Sequence, residues 1–581
     1  MFMTMKKWIY ATIIFCASFL LYARTIGFDF SYFDDIDIIH NNSVFFDENV
    51  DIKKIFTTDA LLNKVGFLYR PLQNLSFAID SQLAGGINVH IFHFTNVFIF
   101  ALIGCFLFFL FRRFNISTKM SFIGTLLFVV HPMFTMSVSW IPARGDLLLT
   151  LFSILSMSFF IDFVRQQKYY QLAFSALFFL LALFSKETAA FLPFMFLLYF
   201  FCFQEKPKIE KKHVLFGVAL LLAGLFWLYL RSISINADSS GVFYARYLLN
   251  IPVALSQLVV FPVDFSPLPF FSTVKILIGS LLLIFLLHIV FRKDEIPKKE
   301  KIFYISWFVL LLSPVFFSIQ HFGYDYLEHR FLLPMIGVFL LLLSSFPKKW
   351  TDKQTAPFLT AITILSIVSL LKSNVYKNPE TLYGAAIRYC TENSFAYNNR
   401  GSYRQMINNP KGALDDYNRA VFYNSEDAKA YTARGILKVK FGDLTGAMDD
   451  FNRAIYYDSE NAVAYTARGS LKMQTGDLTG AMGDLNAAIK QNTYDYIKAE
   501  AYTNRAAVKG MMGNFHDALD DVNTALMIEP YNINAHYNRA VLYLELGNYE
   551  KALQDCEMLL KIDPDSELAI QLKNTLQIEQ Q

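Results

Sequence analysis

Acids and bases gather in five separated stretches of this chain, in combinations that could do chemistry. Two adjacent carboxylates, Asp34 and Asp35, stand in Phe30-Ser-Tyr-Phe-Asp34-Asp35-Ile-Asp37, and His40-Asn41-Asn42 follows. Tyr69-Arg70-Pro71-Leu72 comes next, then His131-Pro132, then Trp140-Ile-Pro-Ala-Arg144-Gly-Asp146. Ser185-Lys186-Glu187-Thr188 and Glu328-His329-Arg330 complete the set. A positioned carboxylate can take a proton from a hydroxyl or help hold a metal ion. Arg and Lys bind phosphate oxygens through charge-assisted hydrogen bonds. Each stretch alone has a plain structural explanation, as a helix-end ion pair, a tight turn or an interfacial anchor. Five stretches at one depth on one face are better explained as a site for an anionic group held at a membrane surface.

The elements that must position these residues are apolar. Of the 581 residues, 54% are hydrophobic and 60 are Phe, while only 17% are charged, against about 25% in soluble proteins. A membrane crossing needs roughly 20 mostly apolar residues. About eleven stretches qualify, near 8–23, 89–111, 119–139, 146–163, 169–185, 188–203, 213–230, 273–291, 302–320, 331–346 and 356–371. The first reads as an uncleaved signal anchor, because no small-residue cleavage site follows it. The segment 246–263 reads as lying flat on the outer interface. Alternate short loops carry Lys6–Lys7, Arg112–Arg113–Lys119, Arg165–Lys168, Lys206–Lys208–Lys211–Lys212, Arg292–Lys293–Lys298–Lys299–Lys301 and Lys348–Lys349–Lys353. By the positive-inside rule those loops face the cytoplasm. The acid–base stretches and everything after the last crossing then face the other side.

Charge divides the chain. Residues 1–378 hold 32 Lys and Arg against 22 Asp and Glu, a net +10, and residues 379–581 hold 20 against 27, a net −7. An acidic second part argues against nucleic acid as its partner. That part is repetitive. Ala396-Tyr-Asn-Asn-Arg-Gly401, Ala430-Tyr-Thr-Ala-Arg-Gly435 and Ala464-Tyr-Thr-Ala-Arg-Gly469 start 34 residues apart. Ala501-Tyr-Thr-Asn-Arg-Ala506 follows after 37, its three extra residues expected in a turn near Thr493–Ile497, and Ala535-His-Tyr-Asn-Arg-Ala540 follows after another 34. Gly442, Gly476, Gly513 and Gly547 stand where first helices should end in a left-handed residue. This period and pattern resemble the tetratricopeptide repeat (TPR), an α-solenoid whose concave groove binds extended peptide or protein. Asn398, Asn399, Tyr431, Tyr465, Asn504 and Asn538 are the expected groove residues.

The fold class is therefore all-α. A polytopic membrane domain spans 1–372, with outer loops 24–88 and 231–272. A connecting helix or degenerate half repeat spans 373–394, and an array of five repeats spans 395–581.

The membrane part resembles the C-type glycosyltransferases, which use polyprenyl-phosphate-linked sugars. The whole chain is most similar to the transmembrane and TPR-containing O-mannosyltransferases and their bacterial relatives. The resemblance runs through Phe28-Asp-Phe to Asp34-Asp35, Tyr69-Arg70-Pro71-Leu72, His93-Phe-Thr-Asn96, His131-Pro132, Trp140 to Asp146, Lys186-Glu187-Thr188 and Glu328 to Gly337. One departure is that the family has Glu-Arg adjacent, where this chain has Glu328-His329-Arg330.

The resemblance implies an inverting transfer of a sugar, with mannose the first candidate, from a polyprenyl-phosphate donor to Ser or Thr hydroxyls of a protein held by the repeats. Asp34 or Asp35 would be the base. Arg70, Arg144, Lys186 and His329 or Arg330 would bind the donor phosphate, with Tyr69, His131, Asp146, Glu187 and Glu328 in support. A divalent metal at the carboxylates is an option in such relatives, although no His or Asp spacing here demands one. The implied partners are membrane lipid, the donor and a protein acceptor. The implied location is a bacterial inner membrane with periplasmic repeats, or an endoplasmic-reticulum membrane with lumenal ones. The rivals are a non-enzymatic membrane scaffold whose repeats recruit proteins, and a related transferase acting on lipid or glycan.

Overall fold

The fold follows from one constraint. In hydrocarbon every backbone N–H and C=O must be satisfied within its own segment, and helices do that. The computed structural model describes residues 2–32, 34–39, 50–60, 62, 68–205, 207–235, 250–256, 258, 273–292, 296–316, 328–346, 355–491 and 493–579. Every regular element among them is helical, so the all-α expectation holds. Phe33, His40, Asn41, Asn42, most of 231–272, and Lys206, Lys293, Lys348, Lys349 and Lys353 lie outside the described residues.

The chain forms two compact units, Met1–Thr391 and Glu392–Gln581. The first is a bundle of apolar helices. Each of the eleven expected stretches contains helix. Six helices among the described residues are long and apolar enough to cross a membrane: Lys7–Gly27, Val89–Arg113, Ile141–Gln166, Lys211–Ser234, Thr273–Phe291 and Ala356–Tyr376. A seventh results if Thr118–Val129 and Pro132–Ser139, bent by 52°, are one broken span. The bend falls at His131-Pro132, where proline cannot donate to the helix ladder. The His131 side chain instead accepts from the Met133 N–H at 3.3 Å.

The core of the first unit is aromatic and aliphatic, running through Phe100, Leu107, Phe128, Leu147, Ile154, Trp307 and Leu340, all buried. Gly337 lets two helices touch here. A Cβ at that position would come within 2.4 Å of the Tyr304 carbonyl oxygen. The short helix Asn250–Ser256 approaches Thr273–Phe291 in the same way. A Cβ on Gly279 would meet the Pro252 carbonyl oxygen.

The second unit is a regular solenoid. Its helix pairs are Ser394–Met406 with Pro410–Tyr423, Ala428–Lys440 with Leu444–Tyr457, Ala462–Gln474 with Leu478–Lys490, Asp495–Met511 with Phe515–Ile528, and Ile533–Glu545 with Tyr549–Ile562, and Glu567–Glu579 follows. The repeated Ala-Gly positions are small because the paired helices cross there. A Cβ on Gly435 would stand 2.6 Å from the Phe451 ring. Gly476 takes φ +87° at a first-helix end, as expected for a left-handed cap.

A charge ladder ties the pairs. Arg400, Arg434, Arg468, Arg505 and Arg539 each donate through Nη2 to Asp416, Asp450, Asp484, Asp521 and Asp555 of their own repeat, at 2.6–2.7 Å. Arg434 and Arg468 also reach back through Nη1 to Asn418 and Asn452 of the preceding repeat.

One expectation is corrected. The three extra residues do not widen a turn. They lengthen the first helix of the fourth repeat to 17 residues, Asp495–Met511, against 13 for Ala462–Gln474. The connecting helix, Pro379–Tyr389, is part of the first unit.

Candidate active site

The first carboxylates follow the first helix, Phe2–Tyr22, and the turn Ala23–Gly27, with Asp34 at the N-cap and Asp35 the first residue of the short helix Asp35–Ile38. Asp35 is fully buried, and its Oδ2 accepts the Ser31 N–H at 2.6 Å, the Ser31 hydroxyl, and the Tyr32 N–H at 3.0 Å. Its Oδ1 has no partner. Burial pushes the Asp35 carboxyl up to about 6, although these three hydrogen bonds work the other way. Asp34 is only half-buried and acts electrostatically on Arg70. The two neighbours are therefore unlike: Asp35 is fully buried and holds the loop, and Asp34 is half-buried. Among the described residues no three His, Cys, Asp or Glu side chains gather in a way that could hold a metal ion.

Arg70 precedes the helix Pro71–Ala84, in which Pro71 at the first turn forgoes an N–H that would be unpaired anyway. Tyr69 beside it is buried and donates its hydroxyl to the Phe56 carbonyl at 2.9 Å, which anchors the turn. Arg70 donates to Glu187 at 3.0 Å. Burial disfavours its charge, but Glu187, Asp146 and Asp34 more than offset this and hold its pKa above the ordinary value.

Lys186 breaks the helical path between Tyr169–Ser185 and Glu187–Phe203. Its ammonium donates to both oxygens of Asp146, at 2.7 and 2.8 Å. Asp146 comes from the first turn of Arg144–Gln166, where a carboxylate is favoured by the helix dipole.

His329 packs its ring 5.0 Å from Trp140 and brings Nε2 within 3.6 Å of Asp146. Burial, followed by the charges of Lys186, Arg330 and Arg70, pushes its pKa well below the usual histidine value, so it is neutral at pH 7. Arg330 is half-buried and acts electrostatically on both Lys186 and His329. The geometry thus assembles Arg70, Lys186, Arg330, Asp146, Glu187 and neutral His329 from four distant stretches, with Asp34 in electrostatic reach. Arg70 uses two of its five N–H donors on Glu187, and Lys186 two of three on Asp146.

Arg144 is not part of this group as a donor. It is fully buried, and its guanidinium is bound to Asp80, to Asn96 Oδ1 at 2.7 Å, to the Phe92 carbonyl at 2.6 Å and to Ser76 Oγ at 3.4 Å. It also lies 4.5 Å from the centre of the Phe77 ring. A buried guanidinium satisfied in this way ties helices together. Glu328 is buried as well and receives Lys372 at 2.6 and 2.9 Å. His131 caps the helix bend described above.

Sequence reasoning missed Asp80 and Lys372. Both are ionisable residues inside apolar helices, which is itself a signal. Gln73 was also missed. It is buried, neither of its amide atoms has a partner, and it lies against Gly145.

Of the expected groove residues, Tyr431 is corrected. It is 2% exposed and packs with Ala454 and Ala464 between helices, so it is not presented to a ligand. Asn398, Asn399, Tyr465, Asn504 and Asn538 are half-buried. Asn398 keeps a buried Oδ1 without a partner, and Asn538 donates to the Thr503 carbonyl at 3.1 Å.

With this geometry in view, the likeness to known proteins is informative. Residues 74–229 match the family described as dolichyl-phosphate-mannose-protein mannosyltransferase, and residues 533–566 match the tetratricopeptide repeat. Protein O-mannosyl-transferase TMTC4 of Mus musculus is 31% identical over 157 residues, which are 24% of this chain and 21% of that protein. Protein O-mannosyl-transferase TMTC2 of Mus musculus is 32% identical over 158 residues, 26% of this chain and 18% of that protein. The chain thus spans about a fifth of the length of the curated relatives it matches. Among solved structures, YrrB, a TPR protein with an unusual peptide-binding site, is 26% identical over 33% of this chain and 97% of its own, with a TM-score of 0.27. TTC0263, a TPR protein of Thermus thermophilus, is 19% identical over 32% of this chain and 99% of its own, with a TM-score of 0.28. Residues 74–229 are thus similar to a mannosyltransferase family and residues 533–566 to the tetratricopeptide repeat, and the curated proteins named here as similar are protein O-mannosyl-transferases.

Proposed function

We propose that this protein is an inverting glycosyltransferase that moves a sugar, mannose by its homologues, from a polyprenyl-phosphate donor to hydroxyls of a protein held by the repeats. The reaction takes place on the non-cytoplasmic side of the membrane. The observation that carries this reading is the group of Arg70, Lys186 and Arg330 held around Asp146 and Glu187, with Asp34 in electrostatic reach. The acids hold the cations in place before substrate arrives, and that preorganisation is what makes electrostatic stabilisation effective.

In the reaction, Asp34 accepts the proton of a Ser or Thr hydroxyl. The freed oxygen forms a bond to the sugar C1, and the C1–O bond to phosphate breaks with its electron pair. Polyprenyl phosphate leaves, and Arg70, Lys186 and Arg330 stabilise the charge that develops on it. Neutral His329 offers a hydrogen bond without adding charge.

The deciding experiment supplies the purified protein with polyprenyl-phosphate mannose or glucose and proteins from its own outer compartment. Mass spectrometry should find a hexose on Ser or Thr. Transfer to lipid or glycan alone, or none with any donor, would overturn the reading.

A further inference from the structure

The loop that carries the carboxylates is held from outside itself. Tyr32 has φ +52°, a left-handed conformation uncommon for a residue with a side chain. Such a conformation persists only where the surroundings over-determine it. Its N–H donates to Asp35 Oδ2, and its carbonyl accepts the hydroxyl of Tyr383 at 2.9 Å. Tyr383 comes from the helix Pro379–Tyr389 and is fully buried. A second tie lies earlier in the loop, where the Asp29 N–H donates to the Lys377 carbonyl at 3.0 Å.

The holding segment is itself stiff. Asn378 caps its helix by accepting from the Thr381 N–H at 3.0 Å, while the Thr381 hydroxyl donates to the Val375 carbonyl at 3.1 Å. Burial pushes the Tyr383 phenol well above its ordinary pKa, and Asp35 and Asp34 add to this.

Resting on the function proposed above, we infer that Tyr383 is a positioning residue for the reaction: the segment 377–383 clamps the loop 29–35 at two points and so fixes where the Asp34 carboxylate stands. The clamp acts on the base and not on the donor-binding cations, which come from other segments. Misplacing a catalytic group by about 1 Å can cost up to about 100-fold in rate, and loss of one of two ties should cost less than that.

The test is Tyr383→Phe in the full chain, which removes one oxygen and keeps the packing. The expected result is a kcat lowered about ten-fold with the KM for donor unchanged. Amide exchange in the peptide 28–39 should rise several-fold, with no change in 71–84. Arg70→Ala should raise the KM for donor as well as lower kcat, with exchange in 28–39 unchanged. An unchanged kcat overturns the positioning role even if exchange rises. Unchanged exchange, or an equal rise in both peptides, overturns the clamp. If the wild-type protein is inert with every donor, the proposed function falls, and exchange alone decides whether Tyr383 holds the loop.

Discussion

Lys372 and Glu328 form a buried ion pair, with the ammonium 2.6 and 2.9 Å from the two carboxylate oxygens and Lys372 wholly without solvent exposure. It joins the end of the helix Ala356–Ser373 to the turn Glu328–Phe331, which also carries His329 and Arg330. The pair therefore fixes the turn that carries His329 and Arg330.

Removing one partner strands a buried charge, which typically costs about 3–5 kcal/mol, whereas replacing both can be close to neutral. Lys372→Met and Glu328→Gln should each lower thermal stability in detergent. The double variant should regain most of the loss. Additive losses would mean that the two groups do not depend on each other.

Arg70→Ala and Lys186→Ala should each weaken use of the donor, whatever the acceptor. A charge-assisted hydrogen bond is worth about 1.5–3 kcal/mol, so kcat/KM for donor should fall roughly 10- to 150-fold. The double variant should fall short of the product, because both side chains act on the same acids. Arg144→Lys should behave differently. Lysine cannot supply the forked donors that Asp80, Asn96 and Phe92 use. The variant should lose stability before it loses donor affinity, as thermal unfolding beside donor titration would reveal.

Asp34 and Asp35 should separate under the same conservative change. Asp34→Asn removes the proposed base, and the transfer rate should drop about 10²–10⁴-fold with folding intact. Asp35→Asn keeps an oxygen for Ser31 and Tyr32 and should be milder. Stability against pH adds an independent reading. Burial raises the Asp35 pKa to about 6, above about 3.9 for the unfolded chain, so the folded protein holds this proton more tightly. The resulting stabilisation is complete below about pH 3.9 and is lost as pH rises through about 6. Asp35→Asn should flatten that part of the stability–pH curve, and a curve of unchanged slope would remove the buried carboxyl from the account.

Much of this was legible in the sequence, and the rest was hidden for physical reasons. Helix, repeat period and glycine caps are local, so the 34-residue spacing and Gly476 could be read directly. Arg70, Lys186 and His329 stood out as ionisable residues beside apolar stretches, and they do come together. What residue type could not reveal is which partner each charge takes. Arg144 and Arg70 look alike in sequence, yet one is enclosed by Asp80 and Asn96 and the other keeps spare donors beside Glu187. Partner choice depends on contacts between residues 48 to 117 positions apart. The solenoid shows the same limit, since Tyr431 and Tyr465 share a repeat position and yet one is buried and the other half-exposed.

The last expectation divides the labour between the units. Because the helix Pro379–Tyr389 belongs to the first unit, a cut after Thr391 removes the solenoid and leaves the loop tie through Tyr383 in place. The shortened protein should bind donor as the full chain does and hydrolyse it slowly to water, since Arg70, Lys186 and Asp34 all precede the cut. Transfer to protein should fall sharply. A tethered groove turns a bimolecular encounter into a local one, and the effective concentration it supplies for short flexible tethers is on the order of millimolar. The loss should therefore be greatest at micromolar acceptor and shrink when a short Ser/Thr peptide is supplied at millimolar concentration. A cut protein that glycosylates dilute protein acceptors as fast as the full chain would show that the repeats do not hold the acceptor. A scaffold would give the reverse pattern: protein recruitment would be lost with the repeats and unaffected by Arg70→Ala, Lys186→Ala or Asp34→Asn.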